Sequence, residues 1–332
     1  MTSVLLHDIH MKRESKSYID SQHAILTAAG WFRGPKHMLS GLSGMAFKMS
    51  VHEQLLSFSV SAYGQWVSEH KPAANNVGLL PEIDGGRTRH PSFRWYQEQA
   101  VLMVKRSLDR GLGAIYWLPE FAVISGYDDD DRVFYVQDGW SGEHQIVLYD
   151  NFGLNVTPFW YVETYADWIE IALEEQVLES VRLAIGDWYT PYKTLPDTAI
   201  ASGKLAYAFL RSGLLGGAYD AWGAGYILDA YAFSRTEIRD YLRDVEACWP
   251  ELREASEDYD EIVSGLPYIQ SCVQTLQGGC RLEPEQIGEL VDRLATAERL
   301  EDQAISRFER LSARYPDRAR STVPRWGTHS PR

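Results

Sequence analysis

The chain has 332 residues, 45% of them hydrophobic, with 32 Lys and Arg against 46 Asp and Glu and a net charge of -14. That length accommodates two domains of ordinary size, and no apolar run reaches the ~18 residues that a membrane-spanning helix needs. The acidic balance, without a long basic cluster, argues against nucleic acid and anionic membranes as partners, because both are held by cations that displace phosphate counterions.

The opening MTSVLLHDIHMKRESK lacks the long apolar run and small-residue cleavage site of a signal peptide, so a soluble, cytoplasmic protein is expected. A first helix is expected over residues 20–29, with Asp20 as its cap and Gly30 as its terminator. GLSGMAF, residues 41–47, pairs two close glycines with a short apolar element. Gly41, Ser43 and Gly44 let the backbone approach a ligand there, with N–H groups lining an anion or carbonyl pocket; the alternative is a tight turn feeding Phe47 into the core. Residues 51–63 fit strand or helix, and residues 71–90, rich in Pro, Gly and Asn, read as loop. Residues 92–110 read as an amphipathic helix capped by Ser92 and closed by Gly111, with Phe93, Tyr96, Ala100, Met103, Val104 and Leu108 as its stripe.

Strands are expected at 114–117, 121–127, 132–137 and 144–149, with a fifth including 159–162. From about residue 169 the pattern turns helical: 171–185, 198–212, 218–233, 235–247, 252–277 (broken near Gly265 and Pro267) and 284–314. The expected plan is an α+β domain over 1–168, an all-helical domain over 169–315 and a frayed tail over 316–332. Cys248, Cys272 and Cys280 form no close pair, which fits a reducing compartment and buried or incidental thiols. No CxxC, HExxH, GxGxxG or Walker sequence occurs, so no metal and no cofactor is expected. Asp128 to Asp131 lack the spacing of a calcium loop and read as a solvated hairpin turn.

Three segments together resemble a known family. They are the early helix before Gly30, LSGLSGMAF, and EFAVISGYDDDDRVFYVQDGW from Glu120 to Trp140. They are similar to the butirosin-biosynthesis-H-like proteins, whose N-terminal domain is papain-like (C39-peptidase-like), a helix packed on an antiparallel sheet. The helical part, with AYDAW and SRTEIRDYLRDV, is similar to the C-terminal halves of bacterial homologues. The resemblance implies thioester acyl transfer, or amide or thioester cleavage, by a Cys-His-Asp set. Such chemistry needs a thiolate at a helix N-terminus, an imidazole and a third group that orients it.

This sequence departs from that set. Glu120 stands where the His is expected and Asp138 matches the orienting residue, while Ser17, Ser21, Gln22 and His23 surround the nucleophile position. Three readings follow. The first is a catalytically degenerate protein that binds a peptide, acyl, aminoacyl or carrier-protein-linked ligand in the old cleft, with Gln22, Gly41, Ser43 and Gly44 as candidate contacts. The second is an acyltransferase or amide or thioester hydrolase rewired through Ser21, His23 and Glu120. The third is a structural protein that self-associates, as a homodimer, through its helical domain.

Overall fold

The computed structural model describes residues 3–57, 66–193, 196–276 and 279–316. The chain runs β1 (Ser3–Leu5), α1 (Ser17–Ala28), α2 (Lys36–Leu42), β2 (Ser50–His52) and α3 (Trp66–Asn76). Then come β3 (Leu79–Arg87), α4 (Phe93–Asp109), β4 (Ala114–Trp117), β5 (Phe121–Asp128), β6 (Val133–Gln137), β7 (Gln145–Leu148) and β8 (Phe159–Trp168). The rest is α5 (Leu173–Trp188), β9 (Ile200–Ser202), α6 (Lys204–Gly216), α7 (Ala221–Val245), α8 (Arg253–Ser271), β10 (Val273–Leu276), β11 (Gly279–Leu282) and α9 (Ile287–Arg314). The helices and antiparallel strands make a mixed α+β protein of two compact units, residues 1–39 with 78–170 and residues 40–77 with 171–332. Residues 40–77, expected in the N-terminal domain, therefore belong with the second unit. The cause is long-range: β2 pairs with β9, and Phe47 sets its ring edge-on against Tyr241 and Phe308.

The first unit is built on an antiparallel sheet of order β3-β8-β4-β5-β6-β7, with β1 on the far half of β5. Side chains alternate between its faces. Ala114, Tyr116, Ala122, Ile124, Trp160 and Val162 pack with Phe93, Ala100, Val104 and Leu108 of α4. The opposite face carries Phe121, Tyr161 and Glu163, and Tyr18 of α1 lies on it. The β5–β6 register shifts between Ile124 and Gly126, and this bulge turns Tyr127 onto the α4 side.

The expected strands after residue 113 are all present. Residues 71–90 are not loop: α3 runs through Pro72 to Asn76, and β3 pairs with β8 from Leu79 to Arg87. Proline and glycine are tolerated there because β3 is an edge strand, with a register shift at Leu80 and Pro81. Ser92 makes no cap bond; its hydroxyl lies 2.6 Å from His90 Nδ1.

The second unit gathers around one buried ion pair. Glu301 of α9 accepts from Arg235 of α7 at 2.8 and 3.0 Å, from Tyr207 of α6 at 2.5 Å and from Tyr259 of α8 at 2.9 Å. Four helices thus share one carboxylate. This explains why one helix, Ala221–Val245, replaces the two expected over 218–233 and 235–247: Arg235 at the expected break points inward and is 1% exposed. α8 likewise continues through Gly265 and Pro267 to Ser271. Nearby in the same unit, Lys193 and Lys48 meet Glu69 at 2.8 and 3.4 Å. Burial alone raises the Glu69 pKa, but the two ammonium groups pull it down to about 2.

Burial pushes the Cys248 and Cys272 thiols up, away from thiolate. The Cys280 side chain and the expected tail beyond residue 316 lie outside the described residues, as do residues 58–63. Among the described residues no helix is long and apolar enough to cross a membrane.

Two stability predictions follow from this packing. Glu301→Gln strips the counter-charge from buried Arg235 and is expected to cost about 3–5 kcal/mol in urea unfolding. At Gly41 an added Cβ meets Tyr241 ring carbons at 2.1–2.5 Å. Gly41→Ala is expected to cost about 1–3 kcal/mol by overpacking, while Gly142→Ala, in open space, stays within about 0.5 kcal/mol.

Candidate functional site

The first unit positions its polar side chains through the N-terminus of α1. That helix starts at Ser17, three residues before the expected cap. Asp20 lies inside the helix and reaches back, accepting the N–H groups of Glu14 and Ser15 at 3.0–3.3 Å. Lys36 clasps the same carboxylate at 2.7 Å and also bonds Glu14 and the Lys12 carbonyl, each at 3.0 Å. Burial raises the Asp20 pKa, and Lys36 opposes that rise. These contacts lash residues 12–15 to the helix and so fix Arg13 and Ser17.

The earlier start shifts the position expected of a nucleophile from Ser21 to Ser17. Ser17 Oγ donates to Glu120 Oε2 at 2.5 Å and accepts the Phe121 N–H at 3.2 Å. Glu120 heads β5, and its side chain is about one-third exposed, whereas Ser17 is 1% exposed. The Arg13 guanidinium lies 3.8 Å from Glu120 Oε2 and 5.9 Å from the centre of the exposed Trp140 ring.

The other expected site residues do not join this pair. Ser21 is buried and donates back to the Ser17 carbonyl at 2.9 Å, a bond internal to the helix. Gln22 is buried and donates to the Tyr18 and Tyr165 hydroxyls at 3.3 and 3.2 Å. His23 sits 3.2 Å from the Gly34 carbonyl with its ring edge-on to Phe32, and burial lowers its pKa. Gly41, Ser43 and Gly44 belong to the second unit. The Gly44 N–H is spent on the Gly41 carbonyl and the Met45 N–H faces Ser43 Oγ, while Tyr241 and Leu183 crowd the two glycines. They form a packed turn leading Phe47 into the core, not an anion pocket.

Asp138 organises a loop and orients no imidazole in the described contacts. Its carboxylate accepts Trp140 N–H at 2.8 Å, Ser141 N–H at 2.9 Å and Gln145 Nε2 at 2.6 Å. Burial works to raise its pKa, but these donors hold it below the ordinary carboxylate value. The neighbouring Gln137 brackets the N-terminal segment, accepting Met11 N–H at 3.0 Å and donating to the Ile9 carbonyl at 2.8 Å. Between the two structures that Gln137 and Asp138 fix lies a cavity of about 240 Å³. Leu5, Leu6 and Ile9 line it, as do His7, His10, Glu143 and His144.

Sequence reasoning missed Arg13, His7, His10 and the priority of Ser17, and weighed His144 only as a substitute base. The spacing gave one usable signal: a helix begun at Ser17 places that hydroxyl at its N-terminus. Among the described residues no group of three or more His, Cys, Asp or Glu side chains is placed to hold a metal ion. Comparison with protein-family models finds no match, and comparison with curated proteins finds none.

Proposed function

We propose that this is a papain-like protein that has given up acyl-transfer chemistry and binds a peptide, acyl or aminoacyl group, free or held on a carrier protein. The reading rests on one observation. At the helix N-terminus where the resemblance calls for a nucleophile, Ser17 is buried and its hydroxyl is committed in both directions, to Glu120 and from Phe121. A hydroxyl engaged this way ties helix to strand. Attack on a carbonyl would require breaking both bonds and exposing the oxygen, with Glu120 already beside a guanidinium.

The cavity beside the Asp138 loop suits the ligand. Its leucine and isoleucine side chains accept a short apolar chain, and its imidazoles and Glu143 face a polar head. At about 240 Å³ it lies below the volume of drug-sized pockets and fits one acyl or aminoacyl group or one peptide side chain. The free thiols of Cys248 and Cys272 suit a reducing, cytoplasmic setting.

The 2.5 Å contact favours a second reading, a rewired hydrolase with Ser17 as nucleophile and Glu120 as base. Calorimetry and turnover assays with short-chain acyl and aminoacyl N-acetylcysteamine thioesters and dipeptides separate the two. Binding is expected to survive Ser17→Ala and to weaken at least about tenfold in Gly142→Trp, which adds bulk at a residue lining the cavity. Thioester turnover that disappears in both Ser17→Ala and Glu120→Gln would establish the hydrolase instead.

A further inference from the structure

The two units each bury a glutamate under tyrosine hydroxyls, and they differ in one respect. Glu301 carries a bonded guanidinium. Glu163 in the first unit is 0% exposed, and its bonded partners are the neutral hydroxyls of Tyr18 at 3.0 Å, Tyr161 at 2.5 Å and Tyr165. The titratable groups facing it are Tyr18 from α1 and Tyr161 and Tyr165 from its own strand. The strands on either side place Ile115 of β4 and Ile83 of β3 in register with it, and Phe121 of β5 packs on Tyr18 and Tyr161. A carboxylate in such surroundings has lost hydration without gaining a counter-charge.

From this contrast we infer that Glu163 is a proton site, and that a proton takes the place here that Arg235 holds on Glu301. In the protonated cluster each of the four O–H groups has an acceptor, while the adjoining Gln22 Oε1 keeps no partner among the described residues. The Glu163 O–H donates to Tyr165, which bonds both Glu163 and Tyr18. The Tyr165 O–H turns to the Tyr18 oxygen, and the Tyr18 and Tyr161 hydroxyls keep donating to the carboxyl group. The proton comes from solvent and no other bond changes. Burial raises the Glu163 pKa to about 7, against the pull of its three hydroxyl donors. Tyr18 and Gln22 are α1 residues, so the proton governs how firmly that helix, and Ser17 at its start, is anchored on the sheet.

The sign follows from linkage. The folded value lies above the ordinary one, so between pH ~4.5 and ~7 the folded chain holds more protons than the unfolded chain. This contribution is full at the acid end and is lost as pH rises through ~7.

The test is urea unfolding of the full chain from pH 5.5 to 8.5, comparing wild type with Glu163→Gln, whose amide stays neutral. The unfolding constant of the wild type is expected to rise at least about tenfold relative to the variant across that range. Parallel profiles overturn the inference. Infrared spectroscopy of the wild type decides the matter if the variant fails to fold. A protonated-carboxyl band at pH 6 that fades by pH 9, with a higher midpoint in Tyr161→Phe, which removes a donor to the carboxylate, supports it. A band absent at pH 6, or a midpoint unmoved by that substitution, overturns it.

Discussion

Both units depend on the satisfaction of a carboxylate that water does not reach. A buried charge costs several kcal/mol unless it is paired and hydrogen-bonded. The second unit meets that cost with Arg235 and draws α6, α7, α8 and α9 together around Glu301. The first unit uses hydroxyls from a helix and a strand to hold Glu163, which fixes α1 across the sheet. Such contacts add directionality that apolar packing lacks, because a tyrosine O–H reaches one carboxylate oxygen in one orientation. The faces of α1 and β8 are specified by these bonds, and the apolar α4 core packs on the other side of the sheet.

Fixing α1 has consequences at its N-terminus. Ser17 adjoins Tyr18, so the hydroxyl that locks the helix to Glu163 stands next to the one that meets Glu120. The helix is held at two successive residues, one bond toward β8 and one toward the head of β5. A catalytic serine needs the opposite arrangement: an oxygen open to substrate, and a base free to take its proton. Here the oxygen closes a joint. Asp138 likewise serves a local role, with its carboxylate turned to the N–H groups of its own loop. The cavity lies beside that loop and the N-terminal segment, and the residue that heads β5 does not line it.

Much of the fold was legible in the sequence. Short apolar runs between turns marked β4, β5, β6 and β7, and the helical period marked α4 and α9, whose apolar stripes record a buried face. The lost elements are those whose partners lie far off in sequence. β3 contains Pro81, Gly85 and Gly86, and only its ladder to β8 makes it a strand. Residues 40–77 join the second unit through β9 and α7, which no local pattern encodes. The site failed for a smaller reason. Asp20 looked like a helix cap, yet its carboxylate serves the turn before the helix, and that three-residue shift moved attention from Ser17 to Ser21.

The buried glutamates show where a pattern was visible but not decisive. Glu301 follows Ala297 by four residues and precedes Ile305 by four, so it lies within the apolar stripe of α9. Glu163 alternates with Trp160 and Val162 and shares a face with Tyr161 and Tyr165. A charge on an apolar stripe has two physical outcomes: the stripe ends there, or the charge is buried with partners. Arg235 reads the same way in α7, amid Ala232, Ile238 and Leu242. Two opposite charges misplaced on two apolar faces are best satisfied by each other, and the structure pairs them. Among the described contacts, Glu163 meets tyrosine hydroxyls and no cation. That asymmetry, readable residue by residue, separates a glutamate held by an arginine from one that needs a proton.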